Sequence, residues 1–398
     1  MKTEQTFSFL FKIIFSKNNR CGNVSCMVYW EYTKRKKKEG FIMFKKCVAV
    51  LLCVTMLLCV TGCDELDSET PTKDPSSTTT STTATTTTTT KPQLQYNIVT
   101  GLEDIPMGAP TRPVGIMISN DNYQSRPQAN IDRADMYVEI ETEGAITRLM
   151  AVFGSADRIP EAITPVRSAR TPFVQVAQAL DLIYVHCGGS YAAKQMLKSI
   201  SIADADEQTN GSYFWRDKEL LKVRSREYTL TTSGEKIAAM AKAKGFADTP
   251  KAAMPFDFGN VTGTGAGALA QVKISRSETV SFHYDATSGL YTKYFGDAAS
   301  TEKHVSLTGN PIQVSNVVVL YGDKFQENSG GNAQTYGFDL SSGSGTVISG
   351  GKSRSISYTL SASGFTMYEA DGSQLKLNTG KTYICIADKD YRSGFILS

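Results

Sequence analysis

The sequence predicts an α+β fold, with an α/β-like N-terminal domain built on a mixed sheet and a mainly-β C-terminal domain. Between Ile163 and Lys194, a helix, an apolar strand, a Gly-Gly-Ser turn and a second helix follow one another. Beyond residue 270, short β-forming runs alternate with Gly, Asn and Asp turns, and no helical period returns. The Pro- and Gly-rich stretch 251–270 separates these patterns, so residues 96–250 and 271–398 are expected as two domains joined by that linker.

Ahead of residue 96 the composition is not that of a folded body. Met43–Cys63 reads MFKKCVAVLLCVTMLLCVTGC, two lysines and an apolar run ending in Val60-Thr61-Gly62-Cys63. This is the pattern of a lipoprotein signal peptide (43–62) whose lipobox places a diacylglycerol on Cys63. The apolar run is shorter than the roughly 20 residues a spanning helix needs. Residues 1–42 read as upstream leader: Lys38-Glu39-Gly40 fits a purine-rich ribosome-binding site just ahead of a start at Met43. Residues 63–95 then comprise the lipidated cysteine and a threonine-rich disordered tether, too polar to bury a core. Together these place the protein outside the cytoplasm, lipid-anchored to the outer face of the cytoplasmic membrane.

This address changes the charge balance. The whole chain carries 42 Lys+Arg and 39 Asp+Glu, of which residues 1–62 hold eleven and three. The remainder has 31 against 36, a net charge of −5 in place of +3, and nucleic-acid binding loses its compositional support. Past Cys63 only Cys187 and Cys385 remain, as a disulfide or as two buried thiols. Without C-x-x-C or His-x-x-x-His spacing, no metal site and no cofactor are expected.

Within the first domain, Val114–Ile118 reads as a strand entering the polar turn Ser119-Asn120-Asp121-Asn122, and Met136–Glu141 and Ile146–Phe153 as two more. Thr171-Pro172 reads as an N-cap with proline at the first helical position, opening a helix to Leu180. Leu182–Val185 reads as a buried strand. Ser190 is expected to cap the next helix, with Ala192, Met196, Leu197 and Ile200 on its apolar side. Tyr213–Arg216 is expected to be extended and Gly234–Lys244 helical. In the second domain, strands are expected at 271–274, 279–284, 314–320, 355–360 and 381–386.

Several short motifs occur in a familiar order. They include Arg126-Pro127-Gln128, Glu143-Gly144-Ala145-Ile146-Thr147-Arg148, Pro165-Val166-Arg167-Ser168-Ala169-Arg170, Val185-His186-Cys187-Gly188-Gly189-Ser190 and Tyr368-Glu369-Ala370-Asp371-Gly372. Over about 105–390 the chain resembles the YerB-like lipoproteins of Gram-positive bacteria, a two-part domain of unknown function. The resemblance implies architecture and location and supplies no activity. Where relatives carry an acidic residue and His-Asn before Leu-x-Thr-Ser, this chain has Glu227-Tyr228-Thr229-Leu230-Thr231-Thr232-Ser233, which puts a histidine-dependent reaction there in doubt.

The candidate site is an anion-binding one: Arg148, Arg167, Arg170 and Arg216, with His186 and the Gly188-Gly189-Ser190 turn. Guanidinium forks match phosphate or carboxylate, and a turn at a helix start offers amides to an anion. The competing reading has these arginines paired with nearby acids, His186 satisfied by a carbonyl or an acid, and Ser190 acting as cap rather than nucleophile. Asp135, Glu139 and Glu143, with Glu141, are acidic candidates for a glycosidase-type pair, or simply a solvated sheet face. The reading that results is a non-catalytic envelope lipoprotein that binds an anionic cell-wall component or a wall-synthesis protein. The alternative is a cell-wall-modifying enzyme acting on peptidoglycan or a lipid-linked phosphate precursor, to which Arg133-Ala134-Asp135, Arg148 and Arg167 bear a faint analogy.

Overall fold

The computed structural model describes residues 7–17, 24–34 and 93–398. Strands Phe7–Lys17 and Val24–Lys34 pair antiparallel, within a unit distinct from 87–398. The expected signal peptide, Cys63 and nearly all of the tether lie outside the described residues.

The labelled elements of the body are β1 (Val114–Ser119), β2 (Met136–Glu141), β3 (Thr147–Phe153), α1 (Thr171–Ala179), β4 (Ile183–His186), α2 (Tyr191–Ser199), β5 (Ala203–Asp206) and α3 (Gly234–Lys244). They continue with β6 (Leu269–Lys273), β7 (Thr279–Asp285), β8 (Leu290–Phe295), β9 (Asn316–Gln326), β10 (Ser342–Ser349), β11 (Lys352–Ser361) and β12 (Thr382–Asp388).

One mixed sheet organises everything. Its order from one edge is the short strand Gly265–Ala266, then β11-β10-β9-β12-β2-β3-β1-β4-β5. β12 pairs in parallel with both β9 and β2, and β1 pairs in parallel with β4. The segments expected as separate domains therefore share one sheet: β12, at the far end of the sequence, lies between β9 and the N-terminal strand β2. A periodicity argument reports faces and not partners, so it carries no information about such a pairing.

β1, β2 and β3 are buried along their whole length because both faces of the sheet are covered. On one face, Ile116, Ile118, Leu149, Phe153 and Val319 pack against Val272 and Phe282 of a five-stranded antiparallel sheet and against Ile237 of α3. On the other, Met117, Val138, Val152 and Ile384 pack against Phe173, Val174 and Ala177 of α1. Among the described residues, both cores draw on residues between Ile98 and Leu397, and residues 87–398 form one compact unit.

The helices have local causes. The Ser233 hydroxyl accepts from Lys236 N, and Gly245 closes α3 in the left-handed region at φ +66°. α1 begins one residue earlier than the Thr-Pro pattern suggests: Arg170 is the N-cap residue, and the Thr171 hydroxyl donates to Glu327 instead. α2 turns Ala193 inward, with Met196, Leu197 and Ile200 half-buried against the core. The expected extension over Tyr213–Arg216 is a 3-10 turn, Gly211–Tyr213, followed by the two-residue strand Trp215–Arg216.

Candidate functional site

In the central sheet β1, β2, β4, β5 and β12 run the same way, so Ser119, Glu141, His186, Asp206 and Asp388 end at one side. Ligands of open α/β sheets gather beyond such carboxyl ends. Just past them, Ala169 and Gly189 form a parallel bridge, and the Ser190 amide donates to the Ala169 carbonyl at 3.2 Å. That bridge sets the amino ends of α1 and α2 side by side. They open into a cleft of about 430 Å³ walled by Glu143, Ser168, Arg170, Ser190, Tyr191 and Lys194, and closed opposite by Asn332, Ala333 and Thr335.

Glu143 is the electrostatic centre of this cleft. Its Oε2 accepts from Arg170 Nε at 2.7 Å, and its Oε1 accepts from Arg148 Nη2 at 2.7 Å and also from Arg170 Nη2. Burial alone would raise the carboxyl, but the Arg170 hydrogen bond and the charges of Arg148 and Arg170 hold it at about 2. Burial and the adjacent Arg170 charge bring Arg148 down to about 9, still protonated at neutral pH. Arg148 also donates to the Ser168 carbonyl at 2.7 Å, and Arg170 to the Ala169 carbonyl at 2.7 Å. Arg170 thus spends three of its five N–H groups internally. Lys194, exposed on the rim, has no carboxylate partner among the described residues.

The other predicted site residues divide. Gly189 and Ser190 line the cleft, with Ser190 as cap: its Oγ accepts from Ala193 N at 3.2 Å. The amides of Tyr191 and Ala192, at the first two positions of α2, are left facing outward as the geometry of a helix start requires. The Gly188 amide is not available to a ligand, because Asp206 Oδ1 accepts it at 2.7 Å. Nor is His186: it is buried, with Nδ1 2.8 Å from the Gly188 carbonyl and Nε2 2.8 Å from Asp204 Oδ1. Arg167 points away from the cleft, to Glu227 Oε2 at 3.1 Å and the face of Tyr228. Arg216 donates to the Arg226 carbonyl at 2.8 Å.

The acids also separate. Asp135 stands at the opposite end of β2, gripped by Arg158 through bonds of 2.7 and 2.6 Å. It shares no site with Arg148, so the Arg-x-Asp analogy has no counterpart in space. Glu139 and Glu141 do share a face of β2, but that face is buried against the five-stranded sheet and is not solvated. Glu139 accepts from Asn120, Thr147 and Tyr383 at 2.9, 2.7 and 2.6 Å, with Lys293 Nζ at 3.4 Å. Glu141 meets Lys324 Nζ at 2.9 Å. With Glu143 on its arginines, each of the four candidate acids has its own cation.

Both cysteines of the body are unpaired thiols. Burial and the nearby Glu207 carboxylate push Cys187 up to about 12, so it is a poor nucleophile. Sequence reasoning missed the far wall of the cleft, Asn332–Thr335, and Lys194. The only signal for the wall is the polar, glycine-bearing run Asn328-Ser329-Gly330-Gly331-Asn332, which has the composition of a binding loop and no motif.

Residues 99–247 match the family model "Protein of unknown function (DUF3048) N-terminal domain", and residues 270–384 match its C-terminal counterpart. A curated relative, "Putative lipoprotein YerB" of Bacillus subtilis (strain 168), is 30% identical over 231 residues. That match spans 56% of this chain and 66% of the relative, just under two thirds of its length. The crystal structure of the YerB protein from Bacillus subtilis is similar with a TM-score of 0.63 at 26% identity, covering 76% of this chain and 99% of that one.

Proposed function

From the premise that this chain belongs to the DUF3048 family and is similar to a protein described as "Putative lipoprotein YerB", we propose that its body is an envelope-binding module. Its ligand is an anionic component of the cell envelope, held in the cleft at the paired amino ends of α1 and α2. The observation that carries this reading is the cleft itself: two helix starts, Arg170 and Lys194, which has no carboxylate partner among the described residues, converge on one open volume lined mostly by polar residues. Helix amino ends favour negative charge, and a lysine on the rim adds a mobile ammonium donor. Glu143 supports an anionic ligand, since its carboxylate already bridges both guanidinium groups. Tyr191 offers an aromatic wall to the uncharged part of a ligand.

Thermal unfolding of residues 93–398 with inorganic pyrophosphate, glycerol phosphate and muramyl-peptide fragments tests this. A ligand present at 100 times its dissociation constant stabilises by about 2.7 kcal/mol. Lys194→Ala is expected to melt with the parent when unliganded, because an exposed lysine contributes little to stability, and to lose most of the ligand-induced shift. A parent that responds to none of these anions, or a Lys194→Ala protein that responds as the parent does, would sink the anion reading.

A further inference from the structure

We propose that two joined loops, 121–127 and 215–228, form a membrane-docking surface that rests on anionic lipid headgroups. Tyr123 and Val223 are 82% and 77% exposed, the most exposed large apolar side chains of the body, with Leu221, two residues before Val223, and Trp215, at the start of the same loop, at 39% and 36%. The two loops are tied to one another. Ser225 N donates to Gln124 Oε1 at 2.9 Å, Arg224 Nη2 donates to the Pro127 carbonyl at 2.8 Å, and Tyr228 OH sits 2.9 Å from Asn122 Nδ2. Leu220 and Tyr228 are buried beneath them. The apolar tips therefore project from a braced platform and add nothing to its packing.

The charge around the tips selects the occupant. The two loops hold six cations, Arg126, Arg216, Lys218, Lys222, Arg224 and Arg226, against four acids, Asp121, Asp217, Glu219 and Glu227, on a chain that is net negative past residue 62. Only Lys222 has a carboxylate partner among the described residues, Glu219. Arg216 and Arg224 donate to backbone carbonyls, which leaves their charge in place. Tyrosine, tryptophan and aliphatic tips set among unneutralised Lys and Arg suit a bilayer interface: the rings seat at headgroup level and the cations attract anionic lipid. A lipid anchor makes that encounter intramolecular, so modest intrinsic affinity suffices. The 29 residues between Cys63 and Gln93 reach up to about 100 Å when extended, enough to present any face of the body.

Flotation of residues 93–398, without the anchor, on vesicles of phosphatidylglycerol and phosphatidylcholine tests the surface. The parent should bind mixed vesicles at roughly millimolar lipid and bind pure phosphatidylcholine far more weakly, with affinity falling as salt rises. Tyr123→Asp/Val223→Asp, at positions with no packing role, should keep the parent's melting temperature and lose about tenfold in affinity. The proposal is overturned if the parent ignores phosphatidylglycerol, if it binds both vesicle types alike, or if the double variant binds as the parent does. It is also overturned if Lys194→Ala abolishes binding while the double variant retains it, because the lipid is then held in the cleft.

Discussion

Lys293→Met is expected to cost about 3–5 kcal/mol, the largest single-site loss in the body outside core truncations. Lys293 is fully buried on β8, and its ammonium lies 3.4 Å from Glu139 Oε2 and 3.1 Å from His304 Nδ1. Burial lowers the lysine's affinity for its proton, and the Glu139 carboxylate pulls it back up. His304 is held neutral by burial and the Lys293 charge, which fits a ring that accepts from Lys293 at Nδ1 and donates through Nε2 to Gln128 Oε1 at 2.9 Å. Methionine fills the volume but leaves the buried Glu139 without its cation, with only its three neutral donors. Removing one partner of such a pair costs far more than the pair itself is worth. Lys293→Met/Glu139→Leu should therefore recover much of the loss, and a double-mutant cycle should show coupling above about 1 kcal/mol. Urea unfolding followed by tryptophan fluorescence reads each value. A Lys293→Met protein within 1 kcal/mol of the parent would mean that the ammonium does not support the sheet-to-sheet contact.

That pair also shows where the sequence could be read and where it could not. The helix Gly234–Lys244 was legible to the residue, because both its stop signals are local: a serine cap and a glycine just past the end. Most of the expected strands lie within a few residues of their observed bounds, since runs of β-branched and aromatic residues report burial, but β9 runs on to Gln326 and β5, β8 and β10 were not among them. The alternation of Glu139, Glu141 and Glu143 was legible too, but its meaning was not. Charges at every second position look like a wetted face, and nothing nearby in sequence announces that Lys293 and Lys324 arrive from the C-terminal segment to cover them. The same limit applies to the cleft. The Gly-Gly-Ser turn and Arg170 marked one wall, while the other comes from residues 332–335, brought in by the strand β9 that precedes them. His186 ended a strand beside a turn, as a catalytic histidine often does. Asp204 and the Gly188 carbonyl, which occupy both its nitrogens, are a matter of tertiary pairing between β4 and β5.

The cleft and the loop surface lie at the same end of the sheet, and residues 167–170 connect them. Arg167 reaches toward Tyr228 beneath the loops, while Ser168 and Arg170 line the cleft. A body seated by Tyr123 and Val223 would therefore carry its cleft near the headgroup layer, where anionic envelope components are attached.

Glu143→Gln is expected to lower stability and raise anion affinity together. In the folded protein the arginines hold this carboxyl at about 2, against an ordinary 4.5. The unfolded chain takes up the proton at the higher pH, so the stabilisation is complete above about pH 4.5 and is lost as pH falls toward 2. The gap of two to three units corresponds to roughly 3 kcal/mol. With the side chain 25% exposed, solvent screening trims that to about 2 kcal/mol. The glutamine variant should forfeit this amount at pH 7 and show a flatter stability profile between pH 5 and pH 2. It also releases two guanidinium groups, one of them buried Arg148, from their built-in counter-charge. An incoming phosphate or carboxylate then meets an unsatisfied fork, and its affinity should rise by about tenfold. Loss of stability with gain of affinity distinguishes a cleft that keeps its own carboxylate in the ligand's place from an ion-pair network that only braces the turn. In the latter case Glu143→Gln would weaken the fold and leave anion binding absent, and the arginines would be counted as structure alone.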